Sequence, residues 1–241
     1  MVDVQVYDNL ARTDARTRVI NPMLPQPTKG ALRWVLLGPS MAGKSTIIKN
    51  VLFNDKWGYN KYFDEIYAFI GSLGDVADLK TEVHKRGLTD DICVQHKFNN
   101  DDVENLFDQI ELANSKATNK SRVLFIFDDQ ITNGLSSKSK PNIIDTLYVR
   151  GRHALCSVII STQKYRLLNN NVRQLNVTYL TIFEGTNSAD LEAVSAEHNG
   201  TKTPKQLLAI LRSKLTSKYD TLTIDYNRQG LLLNTKFEPI E

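Results

Sequence analysis

The chain has 241 residues, enough for one full α/β domain with its own core and short for two. It is 41% apolar and 24% charged, which excludes a disordered or fibrous chain, and a net charge of +3 does not by itself call for nucleic acid. The longest apolar runs are of strand length, short of the roughly 18 residues a membrane span needs, so no transmembrane segment is expected. Two distant cysteines, Cys93 and Cys156, make neither a disulfide framework nor a zinc-ligand set.

Residues 1–30 read as an N-terminal arm ahead of a domain over 31–241. The segment Asn21-Pro22-Met23-Leu24-Pro25-Gln26-Pro27 holds three of the seven prolines, so it is not helical and reads as an extended, exposed stretch. Arg12, Arg16 and Arg18 make the arm basic, as a solvated tail or as an arm touching a neighbour or a nucleic acid. From Leu32 the chain alternates. Arg33 to Leu37 predicts a buried strand ending in glycine, and Lys44 to about Asn54 a helix with Ile47, Ile48, Val51 and Leu52 on one face. Strands are expected over 64–71 and, more briefly, 91–95. A capped amphipathic helix follows from Asn100 to about Ser115. Val123 to Phe127 is the most apolar strand. After it come a Ser/Lys-rich loop over Asn133 to Pro141, a helix over 143–150, and strands over 157–161 and 177–183. Thr203-Pro204 opens a helix to about Leu215, and 220–226 is a late strand. Alternating strands and helices predict a mostly parallel sheet with helices on both faces.

Gly38-Pro39-Ser40-Met41-Ala42-Gly43-Lys44-Ser45 fits the P-loop pattern at every fixed position, between a strand and the helix from Lys44, whose first turn also holds Thr46. Such a loop wraps phosphates in backbone N–H groups and adds the positive end of a helix dipole. Gly38 and Gly43 keep side chains out of the cradle, Lys44 reaches the β- and γ-phosphates of ATP, and Ser45 offers a hydroxyl to Mg²⁺. The run Val123 to Phe127 ends in Asp128-Asp129, a Walker B pattern. Two adjacent carboxylates after a buried strand repel each other unless a cation sits between them. Asp128 is the expected metal partner, and Asp129 the residue that orients or deprotonates the attacking water. The strand 157–161 ends in Thr162-Gln163, where a parallel sheet presents its carboxyl edge to a ligand, and Gln163 is placed to sense the γ-phosphate or hold the water. Arg150, Arg152, Arg166 and Arg173 flank that strand as candidates for an arginine finger reaching a neighbour's nucleotide. His153 reads as a packing or hydrogen-bonding residue rather than a catalyst.

These motifs, with Gly151-Arg152-His153 ahead of the strand and Asn171-Val172-Arg173-Gln174-Leu175-Asn176 after it, resemble the genome-packaging ATPases of double-stranded DNA viruses. These form the poxvirus A32-like branch of the FtsK–HerA superfamily, also found in virophages and polinton-like elements. The resemblance covers about Leu32 to Phe183. It implies a RecA-like P-loop NTPase of the ASCE type and a motor that drives double-stranded DNA into a preformed capsid. It also implies a homo-oligomeric ring with ATP sites between subunits, in which Arg152 and Arg173 are the trans-acting candidates. Capsid-vertex or membrane-associated assembly proteins are the further partners it implies, and the host cell interior (cytoplasm or virus factory), with virion association as an alternative, the place of action. One departure stands out: Asp129 occupies a position where cellular relatives usually carry glutamate. Lys138, Lys140, Lys164 and Arg166 are the candidates for sequence-independent DNA phosphate contacts. Two other classes share these motifs, a nucleotide kinase or phosphotransferase and a nucleotide-dependent switch or structural partner.

Overall fold

The structure, a computed structural model, describes residues 19–28, 30–130 and 142–240. Eight strands form one sheet: β1 (Arg33–Leu37), β2 (Glu65–Ile70), β3 (Ile92–Gln95), β4 (Val123–Asp128), β5 (Cys156–Thr162), β6 (Tyr179–Phe183), β7 (Thr221–Asp225) and β8 (Leu231–Leu233). Their spatial order is β3-β2-β4-β5-β1-β6-β7-β8. The first six run parallel, while β7 and β8 add antiparallel at one end. The helices are α1 (Lys44–Phe53), the single turn α2 (Tyr59–Tyr62), α3 (Leu73–Lys85), α4 (Asn100–Lys116), α5 (Ile143–Arg150), α6 (Ser188–Glu197) and α7 (Pro204–Lys214).

Both sheet faces are covered, so the central strands are apolar throughout and each residue's parity decides which face it packs. Val35, Leu37, Phe125, Phe127, Val158 and Ile160 enter one core with Phe107 of α4, Leu147 of α5, Val194 of α6 and Leu211 of α7. Trp34, Leu36, Leu124, Ile126 and Ile159 enter the other with Ile48 and Leu52 of α1 and Leu79 of α3. Asp128 and Ser161 continue the second row, paired in register, and so come out on the α1 side.

The expected elements appear close to their expected bounds. Four elements were not expected: α2, α3, α6 and β8. In α3 the signals were present, since Ser72 accepts from the Asp75 N–H as N-cap and Val76, Leu79 and Val83 form the buried face. In α6 the apolar stripe is short, and the buried polar residues Asp190 and Ser195 lie among Leu191 and Val194. The α7 start is a full capping box between Thr203 and Gln206 behind Pro204.

The arm differs from expectation where it is described. Ile20 and Leu24 are buried. The Asn21 N–H donates to the Trp57 carbonyl at 3.0 Å, Tyr59 Oη donates to the Pro25 carbonyl at 2.7 Å, and the Gln26 N–H donates to Tyr179 Oη at 3.1 Å. Prolines exclude helix there, but they leave Ile20 and Leu24 free to cover the aromatic cluster of Trp34, Trp57, Tyr59 and Phe237. The basic residues Arg12, Arg16 and Arg18, and the loop over 133–141 with Lys138 and Lys140, lie outside the described residues.

A polar thread crosses the otherwise apolar layer at β1, β6 and β7. Trp34 Nε1 donates to Thr181 Oγ1 at 2.8 Å, and the Thr181 and Thr223 hydroxyls, opposite each other in register, are 2.7 Å apart. All three side chains are fully buried. Thr181→Val keeps the shape and leaves the indole N–H and the Thr223 hydroxyl unpaired, which costs about 2 kcal/mol. Urea unfolding is expected to show a lowered midpoint with an unchanged slope.

Candidate nucleotide site

The site forms at the carboxyl edge of the sheet, where β1, β4 and β5 end side by side. The loop after β1 is tied to β5 by the Gly38 N–H, which donates to the Thr162 carbonyl at 3.1 Å. A Cβ on Gly38 would lie 2.6 Å from Phe183 Cβ, so only glycine lets the loop pass β6. Gly43 has φ 108, a left-handed conformation that suits glycine, and it turns the chain directly into α1. No side chain caps that helix, so its first turn faces the loop as backbone. Met41, also left-handed at φ 62, projects its side chain outward and is 83% exposed. Ser40, Ser45 and Thr46 are exposed, while Ala42 and Lys44 are buried. Gly185 closes the β6 side, where a Cβ would meet Pro39 Cγ at 3.0 Å.

Lys44 folds back over the loop, and its Nζ donates to the Gly38 and Pro39 carbonyls, each at 2.7 Å. Burial lowers its pKa, opposed by the negative charges of Asp129 and then Asp128. Those two attractions place the Lys44 ammonium and the Walker B carboxylates in one electrostatic environment. Burial raises the Asp128 pKa; the neighbouring Ser161 hydroxyl and the Lys44 charge pull it down, and the Asp129 charge pushes it further up. Asp129 leaves the strand at φ 50, with its N–H on the Ser161 carbonyl at 3.2 Å and its carboxylate exposed. Gln163 Nε2 donates to Asp129 Oδ2 at 2.9 Å. The expected phosphate loop, Walker B pair and Gln163 therefore converge on one edge.

The arginine candidates do not converge with them. Arg152 is exposed in the turn before β5, beside Gly30, at the opposite edge of the sheet. The seven residues of β5 put roughly 20 Å between it and Gln163. Its Nε donates to His153 Nε2 at 3.2 Å, which gives His153 the hydrogen-bonding part expected of it. Arg173 is used within the chain. It is 14% exposed on its side chain, paired with Glu197 at 3.4 Å, donates to Asn170 Oδ1 at 2.6 Å, and stacks 5.3 Å from the Tyr165 ring centroid. A guanidinium so engaged is not presented to a neighbour, because Tyr165 and Glu197 supply its partners first. Arg166 donates to the Ala189 carbonyl at 2.9 Å, Arg150 pairs with Glu111, and Lys164 is exposed after β5.

Three residues that shape the site were not singled out from sequence. Ser161 sits beside Asp128, and Asp75 in the first turn of α3 adds a third negative charge near it. Gly71 allows close approach, since a Cβ there would lie 3.0 Å from the Asp129 carbonyl oxygen. What places them is the pairing of β4 with β5 for Ser161 and with β2 for Gly71.

A phosphate loop after β1, paired carboxylates at the end of β4 and a strand inserted between them define a RecA-like P-loop NTPase of the ASCE type. The chain belongs to the family of the Poxvirus A32 protein, which matches residues 28–228. Among solved structures, the crystal structure of B204, the DNA-packaging ATPase from Sulfolobus Turreted Icosahedral Virus, is similar with a TM-score of 0.59 and 20% identity, over 86% of this chain and 97% of that one. The genome packaging NTPase B204 from Sulfolobus turreted icosahedral virus 2, in complex with AMPPCP, gives 0.59 and 19% over 86% and 97%. The cytoplasmic domain of the Thermomonospora curvata Type VII secretion ATPase EccC gives 0.53 and 11% over 88% of this chain and 24% of that one. At these identities the likeness is one of fold. No curated protein matches the chain. Among the described residues, no helix is long and apolar enough to cross a membrane.

The Asp128 shift carries a stability consequence. A carboxyl whose folded pKa lies above its ordinary 3.8 favours folding most at low pH, and that contribution is lost as pH rises through the folded value. At neutral pH the buried charge therefore costs stability. Asp128→Asn is expected to raise the thermal midpoint of the nucleotide-free protein by about 2 °C or more while abolishing hydrolysis. A scan at pH 7.5 beside a phosphate-release assay checks both.

Proposed function

We propose that this protein is an ATP-driven motor that moves double-stranded DNA into a preformed viral capsid. The observation that carries the hydrolytic part is the Asp129–Gln163 hydrogen bond beside a complete phosphate loop. A buried lysine and a glycine turn suffice to bind phosphate. A carboxylate held by a second polar group at the same edge adds a means to activate water. Membership of the Poxvirus A32 protein family, and a fold shared with a protein described as a DNA-packaging ATPase, support the packaging role.

The residues divide the work as follows. The backbone N–H groups of Gly38 to Ser45, with Thr46 behind them, cradle the phosphates. Lys44 exchanges its loop carbonyls for the β- and γ-phosphate oxygens, which are stronger, charged acceptors. Ser45 and Asp128 suit Mg²⁺. The Ser45 hydroxyl is exposed at the helix start, and the Asp128 carboxylate, crowded by Asp129 and Asp75, is the kind of site a divalent cation relieves. Such an ion would neutralise charge on the transferred phosphoryl group. Asp129 uses the carboxylate oxygen not engaged by Gln163 to accept a proton from the attacking water. Gln163 fixes that carboxylate and reports the presence of the γ-phosphate through it. Asp129, shorter than glutamate, starts from a left-handed backbone that turns it off the strand line.

Arg152 cannot serve its own nucleotide across the length of β5. It serves a neighbour's if copies assemble head to tail, the heterologous contact that closes into a ring. Arg173 is left to the internal packing of Tyr165 and Glu197. In a ring, exposed Lys164 and Arg166 line the channel with sequence-independent phosphate contacts. The protein then acts inside the host cell, in cytoplasm or virus factory, with capsid-vertex or membrane-associated assembly proteins as partners.

Steady-state hydrolysis, with and without double-stranded DNA, tests this reading. Hydrolysis is expected to rise with DNA and to be lost in Lys44→Ala. It is expected to fall by about 10²–10⁴ in Asp129→Asn, the range a positioned general base contributes. A folded protein whose hydrolysis ignores DNA, or which passes phosphate to a nucleoside rather than to water, overturns it.

A further inference from the structure

We propose that Tyr219 is the stacking platform for the base of the bound nucleoside triphosphate, an inference that rests on the reading of this edge as a nucleotide site. Asp129 and Gln163 occupy the flank of the phosphate loop toward β5 and β4. The opposite flank belongs to β6 and to the turn before β7. Phe183 and Thr221 are paired in register, so residues 215–220 emerge at the same sheet edge as the loop, on the side away from the carboxylates. With the γ-phosphate directed toward Asp129, ribose and base leave on this side.

Tyr219 is presented there. It is 54% exposed, a large aromatic ring that folding has not hidden. Its Cδ1 lies 3.5 Å from where a Cβ on Gly43 would stand, so the ring borders the last glycine before α1. Its backbone is at φ 75, a left-handed conformation that a bulky residue adopts only when its surroundings impose it. Those surroundings are well defined. Asp220 Oδ2 accepts from the N–H groups of Thr216 at 3.2 Å and Ser217 at 2.7 Å. The Asp220 N–H donates to the Ser217 carbonyl and the Glu184 N–H to the Asp220 carbonyl, both at 2.9 Å. The turn is thus fixed at both ends, and the backbone that carries the ring does not have to be organised when a ligand arrives. The Lys218 ammonium stands 4.9 Å from the ring centroid over one face, which assigns the base to the other.

An aromatic face accepts any base, with larger overlap for purines, and reads no hydrogen-bond pattern. The ligand class is therefore a nucleoside triphosphate, purines having the larger overlap, held by its phosphates at the loop and by its base at Tyr219. The phenol hydroxyl has no part in this.

Titration calorimetry on the full chain, with ATP and with inorganic tripolyphosphate, tests the assignment. Tyr219→Phe is expected to bind ATP within about twofold of wild type, while Tyr219→Ala and Tyr219→Leu bind it about tenfold more weakly, within the range base stacking supplies. All three are expected to bind tripolyphosphate as wild type does. The leucine variant keeps bulk at the loop, and far-UV circular dichroism on each variant confirms a folded chain. Unchanged ATP affinity in Tyr219→Leu overturns the assignment. So does an equal loss for tripolyphosphate, which would make the ring a support for the loop. If wild type binds tripolyphosphate but Tyr219→Phe loses ATP, the hydroxyl and not the ring is the contact, and stacking is overturned. Wild type binding no ATP at all defeats the nucleotide reading itself.

Discussion

A buried ammonium beside two carboxylates sets the terms for this fold. Lys44 gives up water at the start of α1, where the helix dipole opposes a positive charge. Two loop carbonyls and the field of Asp129 and Asp128 compensate it. None of these partners is near Lys44 in sequence except the loop itself. They arrive only because β5 lies between β1 and β4 and all three strands end at one level. The extensive apolar packing on both sheet faces therefore has a polar purpose at one edge. It fixes where strands stop, and so where charges meet.

The same sheet separates two kinds of group. At the carboxyl edge stand the phosphate loop, Asp128, Asp129 and Gln163. At the other stands Arg152, with Arg33 at the start of β1 buried among few partners, its Nη1 on the Asn176 carbonyl at 3.1 Å. Burial lowers the Arg33 pKa, Tyr148 opposes that, and the Arg152 charge adds to the lowering. Exposed Arg152 thus lies a strand length from Asp128 and Asp129 of its own copy.

Much of this was legible from sequence. The P-loop carries its own context, and Asp128-Asp129 after five apolar residues needs no structure to be noticed. Gln163 was readable from its place at a strand end, and its bond to Asp129 gives that place a meaning. What sequence could not carry were relations between strands distant along the chain: Ser161 level with Asp128, Gly71 under the Asp129 carbonyl, Tyr219 against Gly43. Arg173 illustrates the converse. As an arginine in the loop after β5 it reads as available, and only the positions of Tyr165 and Glu197 reveal that it is occupied. The helix α6 carries no clear apolar periodicity, because its buried side includes Asp190 and Ser195.

The proline-rich segment bears on how the protein can be handled. Trp57, Tyr59 and Phe237 form an edge-packed aromatic group that Ile20 and Leu24 close over, and Tyr59 spends its hydroxyl on the Pro25 carbonyl. The autonomous folding unit therefore reaches back at least to residue 19. A recombinant version trimmed to the P-loop core at Ala31 would leave indole and phenol rings open to solvent. It would behave as a sticky, self-associating protein, and any oligomers it formed would reflect the uncovered rings rather than the native chain.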